Sequence, residues 1–184
     1  MEIKFDATQE YQLHAIAAVV DLLDGQPLGA ADNEVLIQPS GGELLTELGV
    51  RNSLVVSDPQ ILHSLQAVQE RNGLAVDESL DSLNFSIEME TGTGKTYVYL
   101  RTIHELRRKY GLKKFIIVVP SVAIREGVQK SLDLMGEHFS DLYDSQPVDW
   151  WTYDSKQVSR LRGFAQSNEL QVLIINIDAF NKQA

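Results

Sequence analysis

Cysteine is absent from all 184 residues, so the chain has neither disulfides nor thiolate metal ligands. That usage fits a reducing compartment. Long apolar runs are absent too; none approaches the roughly 20 residues that span a bilayer. The opening MEIKFDATQE lacks the apolar core of a secretory signal. No internal repeat or low-complexity linker interrupts the chain. These absences predict a soluble, cytoplasmic protein. Apolar residues at 43% and charged residues at 23% are ordinary globular proportions. The length suits one α/β domain with a small appendage.

Basic residues are scarce at first and then abundant. Residues 1–94 carry 3 basic and 16 acidic side chains, residues 95–130 carry 9 and 2, and residues 131–184 carry 4 and 8. A net charge of −10 disfavours nucleic acid, but the basic stretch over 95–130 admits two readings. It is either a solvated helix end, where the macrodipole favours cations, or an edge that faces phosphates.

Periodicity predicts a helix over about Thr8–Leu23, carried by Leu13, Ile16, Ala17, Val20 and Leu23. EVLIQ at 34–38 and NSLVV at 52–56 are candidate strands. Ser57-Asp58-Pro59 opens a helix to about Glu70. From Leu83 the pattern is regular: strand LNFSIEME, turn TGTGKT, helix Tyr97–Tyr110 and strand KFIIVV. A helix capped by Ser121 follows, to about Met135, then strand VDWWTY, a helix over Lys156–Ser167 and strand LQVLIINI. Such alternation predicts βαβ units and a parallel sheet.

The stretch METGTGKT, Met89–Thr96, sits between a predicted strand and a predicted helix. Its turn can present backbone N–H groups at a positive helix end. Thr91, Gly92, Thr93 and Gly94 form the cradle, with the glycines allowing close approach. Lys95 can reach β- and γ-phosphates, and the Thr96 hydroxyl can ligate Mg²⁺. The strict phosphate-loop pattern begins with Gly, where this chain has Met89.

The segment from Met89 through PSVAIREG, with YDSKQVSRLRGFAQSNELQVLIINIDAFNK, resembles superfamily 2 helicases. More narrowly it resembles the restriction subunit of type III restriction-modification enzymes. The likeness covers Ser86–Lys182 well, Phe5–Gln26 moderately and residues 30–82 loosely. It implies a three-layer, doubly wound RecA-like fold. Residues 1–29 would carry the adenine-motif helix, 30–82 an insertion and 83–184 the phosphate-loop βαβ core. It implies that Gln12 reads adenine, with Phe5 or Tyr11 stacking on the base. Ser121 and Arg125, and Asn176 in NIDAF, would follow a nucleic-acid backbone, with Lys182 nearby. The implied cofactors are ATP and Mg²⁺, with Lys95 as the catalytic residue. The implied partners are DNA and a separate modification (methyltransferase) subunit.

Asp178 closes an apolar run as a metal-binding Asp would, but Ala179 follows it rather than Glu. No apolar strand after the loop ends in the Asp-Glu pair such a motor needs. The resemblance therefore implies the front part of a motor, without its second RecA-like domain or nuclease domain, that binds nucleotide without turning it over. The alternative is a small self-contained phosphate-loop kinase or nucleotide-binding protein with Asp178 as its metal-binding acid.

Overall fold

The computed structural model describes residues 5–29, 33–37 and 47–181. In chain order the elements are α1 (Glu10–Val20) with a 3₁₀ turn (Asp21–Leu23), β1 (Asn33–Ile37), β2 (Glu47–Arg51), α2 (Asp58–Arg71) and α3 (Lys95–Tyr110). They continue with β3 (Lys114–Val119), α4 (Val122–Leu142), β4 (Val148–Thr152), α5 (Val158–Gln166), β5 (Leu170–Asn176) and α6 (Asp178–Asn181). The chain divides into two units, Met1–Leu28 with Leu54–Tyr110, and Gly29–Ser53 with Gly111–Ala184.

The first unit is helical. Helix α1 packs on α3 and the 3₁₀ turn packs on α2. Ile16, Val20, Ile61, Leu100 and Tyr110 are buried there, and the Tyr110 hydroxyl donates to the Val20 carbonyl at 2.8 Å. Pro59 lies in the first turn of α2, and the Gln60 side chain accepts from the Ser57 N–H at 2.9 Å. Much of the basic run serves the fold. Lys109 lies 3.5 Å from both Asp21 and Asp24, Arg108 pairs with Glu105 at 2.6 Å, and the Arg101 guanidinium donates to the Ala7 carbonyl at 2.6 Å. These contacts support the helix-end reading for that part of the run.

The predicted strand at 83–90 does not form; residues 74–90 contain no strand. Leu83, Phe85 and Ile87 alternate as a strand would, yet they are 51%, 39% and 44% exposed. A strand needs a neighbour to accept its ladder, and among the described residues this segment has none.

The second unit holds a parallel sheet in the order β3-β5-β4 and an antiparallel β1-β2 hairpin. Lys114 pairs with Gln171 and Val148 with Leu170, so β5 lies central and its side chains from Leu170 to Ile175 are buried. The path from β3 to β4 skips a position and the path to β5 returns one. Right-handed crossovers then place α4 and α5 on opposite faces. The contacts agree: α4 reaches Thr152 through Gln129 at 2.5 Å, and α5 sets Phe164 against Trp151, which faces the other way. This is a helix–sheet–helix sandwich of the doubly wound, RecA-like kind.

The second hairpin strand ends at Arg51, so the strand predicted over Asn52–Val56 is displaced. The Asn52 side chain instead imitates a neighbouring strand. Its oxygen accepts from Lys113 and Lys114 N–H groups at 2.8 and 3.0 Å, and its amide donates to the Lys114 carbonyl at 2.7 Å. Helix α4 runs past the predicted end at Met135 and through Gly136. Burial of Phe139, 3% exposed, offsets the helical cost of that glycine, about 1 kcal/mol. Among the described residues no helix is long and apolar enough to cross a membrane.

Candidate functional site

In the first unit the glycine-rich turn leads into the N-terminus of α3, whose first N–H groups have no intrahelical acceptor. Gly92 and Gly94 both have φ +84°, a conformation that side chains resist. A Cβ at Gly92 would meet nothing within 4 Å, so the space over the turn is open. A Cβ at Gly94 would lie 2.6 Å from the Gln12 amide nitrogen. The Thr93 hydroxyl donates to the Glu90 carbonyl at 2.7 Å. The Lys95 ammonium donates to the Met89 and Glu90 carbonyls at 2.5 and 2.7 Å. Lys95 is therefore tied to the carbonyls that open the turn, and it is exposed.

Gln12, 9% exposed on α1, belongs to the same constellation. Its amide donates to the Thr93 carbonyl at 3.0 Å and lies 3.5 Å from the Tyr11 hydroxyl. The structure thus gathers Gln12 and Thr91–Thr96 into one place. Phe5 stacks on Tyr97 at 6.2 Å, and Arg101 lies over the same ring at 5.9 Å. Tyr11, 49% exposed beside Gln12, is the aromatic ring left open. Burial raises the Tyr99 phenol above its ordinary pKa, with the neighbouring Thr96 hydroxyl opposing. On the same helix, burial lowers the His104 imidazole to about 4, with Glu105 opposing.

The second unit gathers the remaining predicted contacts at the C-terminal ends of its strands. Ser121 caps α4 by accepting from the Ile124 N–H at 3.3 Å, and Arg125 lies one turn on. The Arg125 Nε is buried without a hydrogen-bond partner among the described residues. Such a charged donor is costly to leave unmatched. Asn176 pairs in register with Val119, which places it beside the strand that leads to Ser121. Its side-chain oxygen accepts from the Asp178 N–H at 2.9 Å, so Asp178 starts a short helix and its carboxylate is exposed. Among the described residues no three His, Cys, Asp or Glu side chains cluster as a metal centre. Lys182 lies outside the described residues.

Sequence reasoning missed the contact between Gln12 and the loop, because 81 residues separate the partners. It also missed an open cavity of about 200 Å³ lined by Asp149, Trp151, Arg160, Phe164, Ser167 and Gln171. The two rings there already carry cations, Arg160 over Trp151 at 5.2 Å and Lys114 over Phe164 at 5.3 Å. Burial, with Lys113 beside it, lowers the Lys114 ammonium to about 8.

The family model for the type III restriction enzyme, res subunit, matches residues 7–184. The chain belongs to this family. Within it, the chain is similar to the Res subunit of the type III restriction-modification enzyme StyLTI of Salmonella typhimurium, 38% identical over 127 residues. It is also similar to the EcoPI Res subunit of Escherichia phage P1, 38% identical over 102 residues, and to the EcoP15I Res subunit of Escherichia coli, 41% identical over 97. The matches cover 60%, 53% and 49% of this chain but 13%, 10% and 10% of those proteins, so the chain matches about a tenth of their length.

Proposed function

We propose that this chain binds ATP and Mg²⁺ through Met89–Thr96 and contributes to an ATP-driven DNA-translocating motor of a type III restriction system. Its partners in this reading are DNA and a modification (methyltransferase) subunit. Residues 1–29 bring the base-reading helix, 30–82 are an insertion, and 83–184 carry the phosphate and DNA contacts. The observation that carries the reading is the loop itself: two left-handed glycines, an exposed lysine and a helix N-terminus, with open space at Gly92. These are the groups a phosphate chain needs. Membership of the family supports the motor role.

The roles follow from chemistry. Thr91–Gly94 offer backbone donors, and Lys95 exchanges its carbonyl partners for phosphate oxygens and holds the γ-phosphate as the catalytic cation. Thr96 would hold Mg²⁺, which when bound offsets charge on the β- and γ-phosphates. Gln12 would read the base, with Tyr11 stacking on it. Ser121, Arg125 and Asn176 would form the DNA-facing edge, with the Arg125 guanidinium meeting a backbone phosphate.

Calorimetric titration with Mg-ATP, beside thermal melting, tests the nucleotide site. Wild type is expected to bind, and Lys95→Ala to fold but not bind. Unchanged affinity in folded Lys95→Ala would overturn the assignment.

A further inference from the structure

We propose that Gln12 is a positioning residue of the phosphate loop, setting the orientation of the Thr93–Gly94 peptide, in addition to facing the base. The proposal rests on the phosphate-loop reading and extends it. A peptide group is planar and trans, so its C=O and N–H point in opposite directions. The Gln12 amide holds the Thr93 carbonyl at 3.0 Å, which turns the Gly94 N–H away from Gln12. That N–H is one of the loop's backbone donors. The two residues are close: a Cβ at Gly94 would lie 2.6 Å from the Gln12 nitrogen, so a side chain there would push the carboxamide aside. Gln12 is itself held by burial, at 9% exposure on a helix packed against α3. The Thr93 hydroxyl fixes the other side of the residue through Glu90. Reading a base requires the carboxamide to meet a ligand, whereas orienting the loop requires only its N–H. The two roles therefore separate on a ligand without a base.

The probe is inorganic tripolyphosphate with Mg²⁺, titrated calorimetrically into the full 184-residue chain, with ATP in parallel. Gln12→Met keeps side-chain length without a donor, and Gln12→Glu keeps the shape with acceptors alone. Both variants are expected to bind tripolyphosphate about threefold to tenfold more weakly, the effect of losing one hydrogen bond. Gln12→Glu should be the weaker, because its carboxylate faces the Thr93 carbonyl. Melting without tripolyphosphate identifies a variant that fails to fold, in which case the other decides. Tripolyphosphate affinity equal to wild type in a folded variant, with ATP alone weakened, would overturn the proposal and leave Gln12 as a base reader. Tripolyphosphate binding untouched by Lys95→Ala would instead mean that the phosphate-loop reading has failed, and this inference with it.

Discussion

The two units place their candidate residues by different means. In the first, the loop takes its shape from a contact across 81 residues, Gln12 to Thr93, and from lysine and threonine bonds to its own carbonyls. In the second, Ser121 and Arg125 are set locally by a helix cap, and Asn176 by the register of a parallel sheet. A site built from distant contacts responds to substitutions far from it in sequence. A site built from a cap and a ladder responds chiefly to its own residues and to the sheet beneath.

The largest expected effect tests the sheet. Ile174→Ala, at a fully buried position of the central strand, should cost about 2–5 kcal/mol in denaturant unfolding. Ile116→Ala on β3, at 56% exposure, should cost about 0.5 kcal/mol or less. Equal losses would contradict the central position of β5.

The first unit carries an acid-side pH signature at His104. His104 stays neutral to about pH 4 when folded and takes up its proton near 6.5 when unfolded. Between those values the unfolded chain binds the extra proton, so stability falls as pH falls. The loss reaches about 3 kcal/mol below pH 4. His104→Gln should flatten that part of the stability profile relative to wild type; an unchanged slope would show that the imidazole is not buried as described.

Asn52→Ala removes three hydrogen bonds at the start of β3 and should cost about 1–3 kcal/mol. Hydrogen exchange should show the loss first at the Lys113 and Lys114 amides. The smallest effect belongs to the cap: Ser121→Ala should cost about 1 kcal/mol in thermal or denaturant unfolding, with nucleotide affinity unchanged. A change in ATP affinity there would break the separation between the units.

Elements with complete local signals were legible in the sequence. KFIIVV is β3 over the predicted residues, LQVLIIN is β5, and α3 ends at Tyr110 before Gly111. LNFSIEME carries an equally good alternating pattern and forms no strand, because pairing depends on a neighbour that local sequence cannot supply. NSLVV failed for a related reason: the Asn52 side chain replaces the ladder its backbone would have made. Helix α4 outran its predicted end at Met135 because its buried face continued to Phe139. At the site, residue types and spacing revealed the loop. The Gln12 contact and the buried Arg125 Nε depend on packing, so they became visible only in three dimensions.

The division of labour between the units is tested most directly by measuring two ligands on two variants. Mg-ATP affinity and single-stranded DNA affinity at low salt should be measured for wild type, Lys95→Ala and Arg125→Ala. The account predicts that Lys95→Ala loses ATP and keeps its DNA affinity. It predicts that Arg125→Ala keeps ATP, weakens DNA binding and lowers the slope of log affinity against log salt by about 0.7, the share of one phosphate contact. Loss of ATP binding in a folded Arg125→Ala, or full ATP binding in a folded Lys95→Ala, would contradict it.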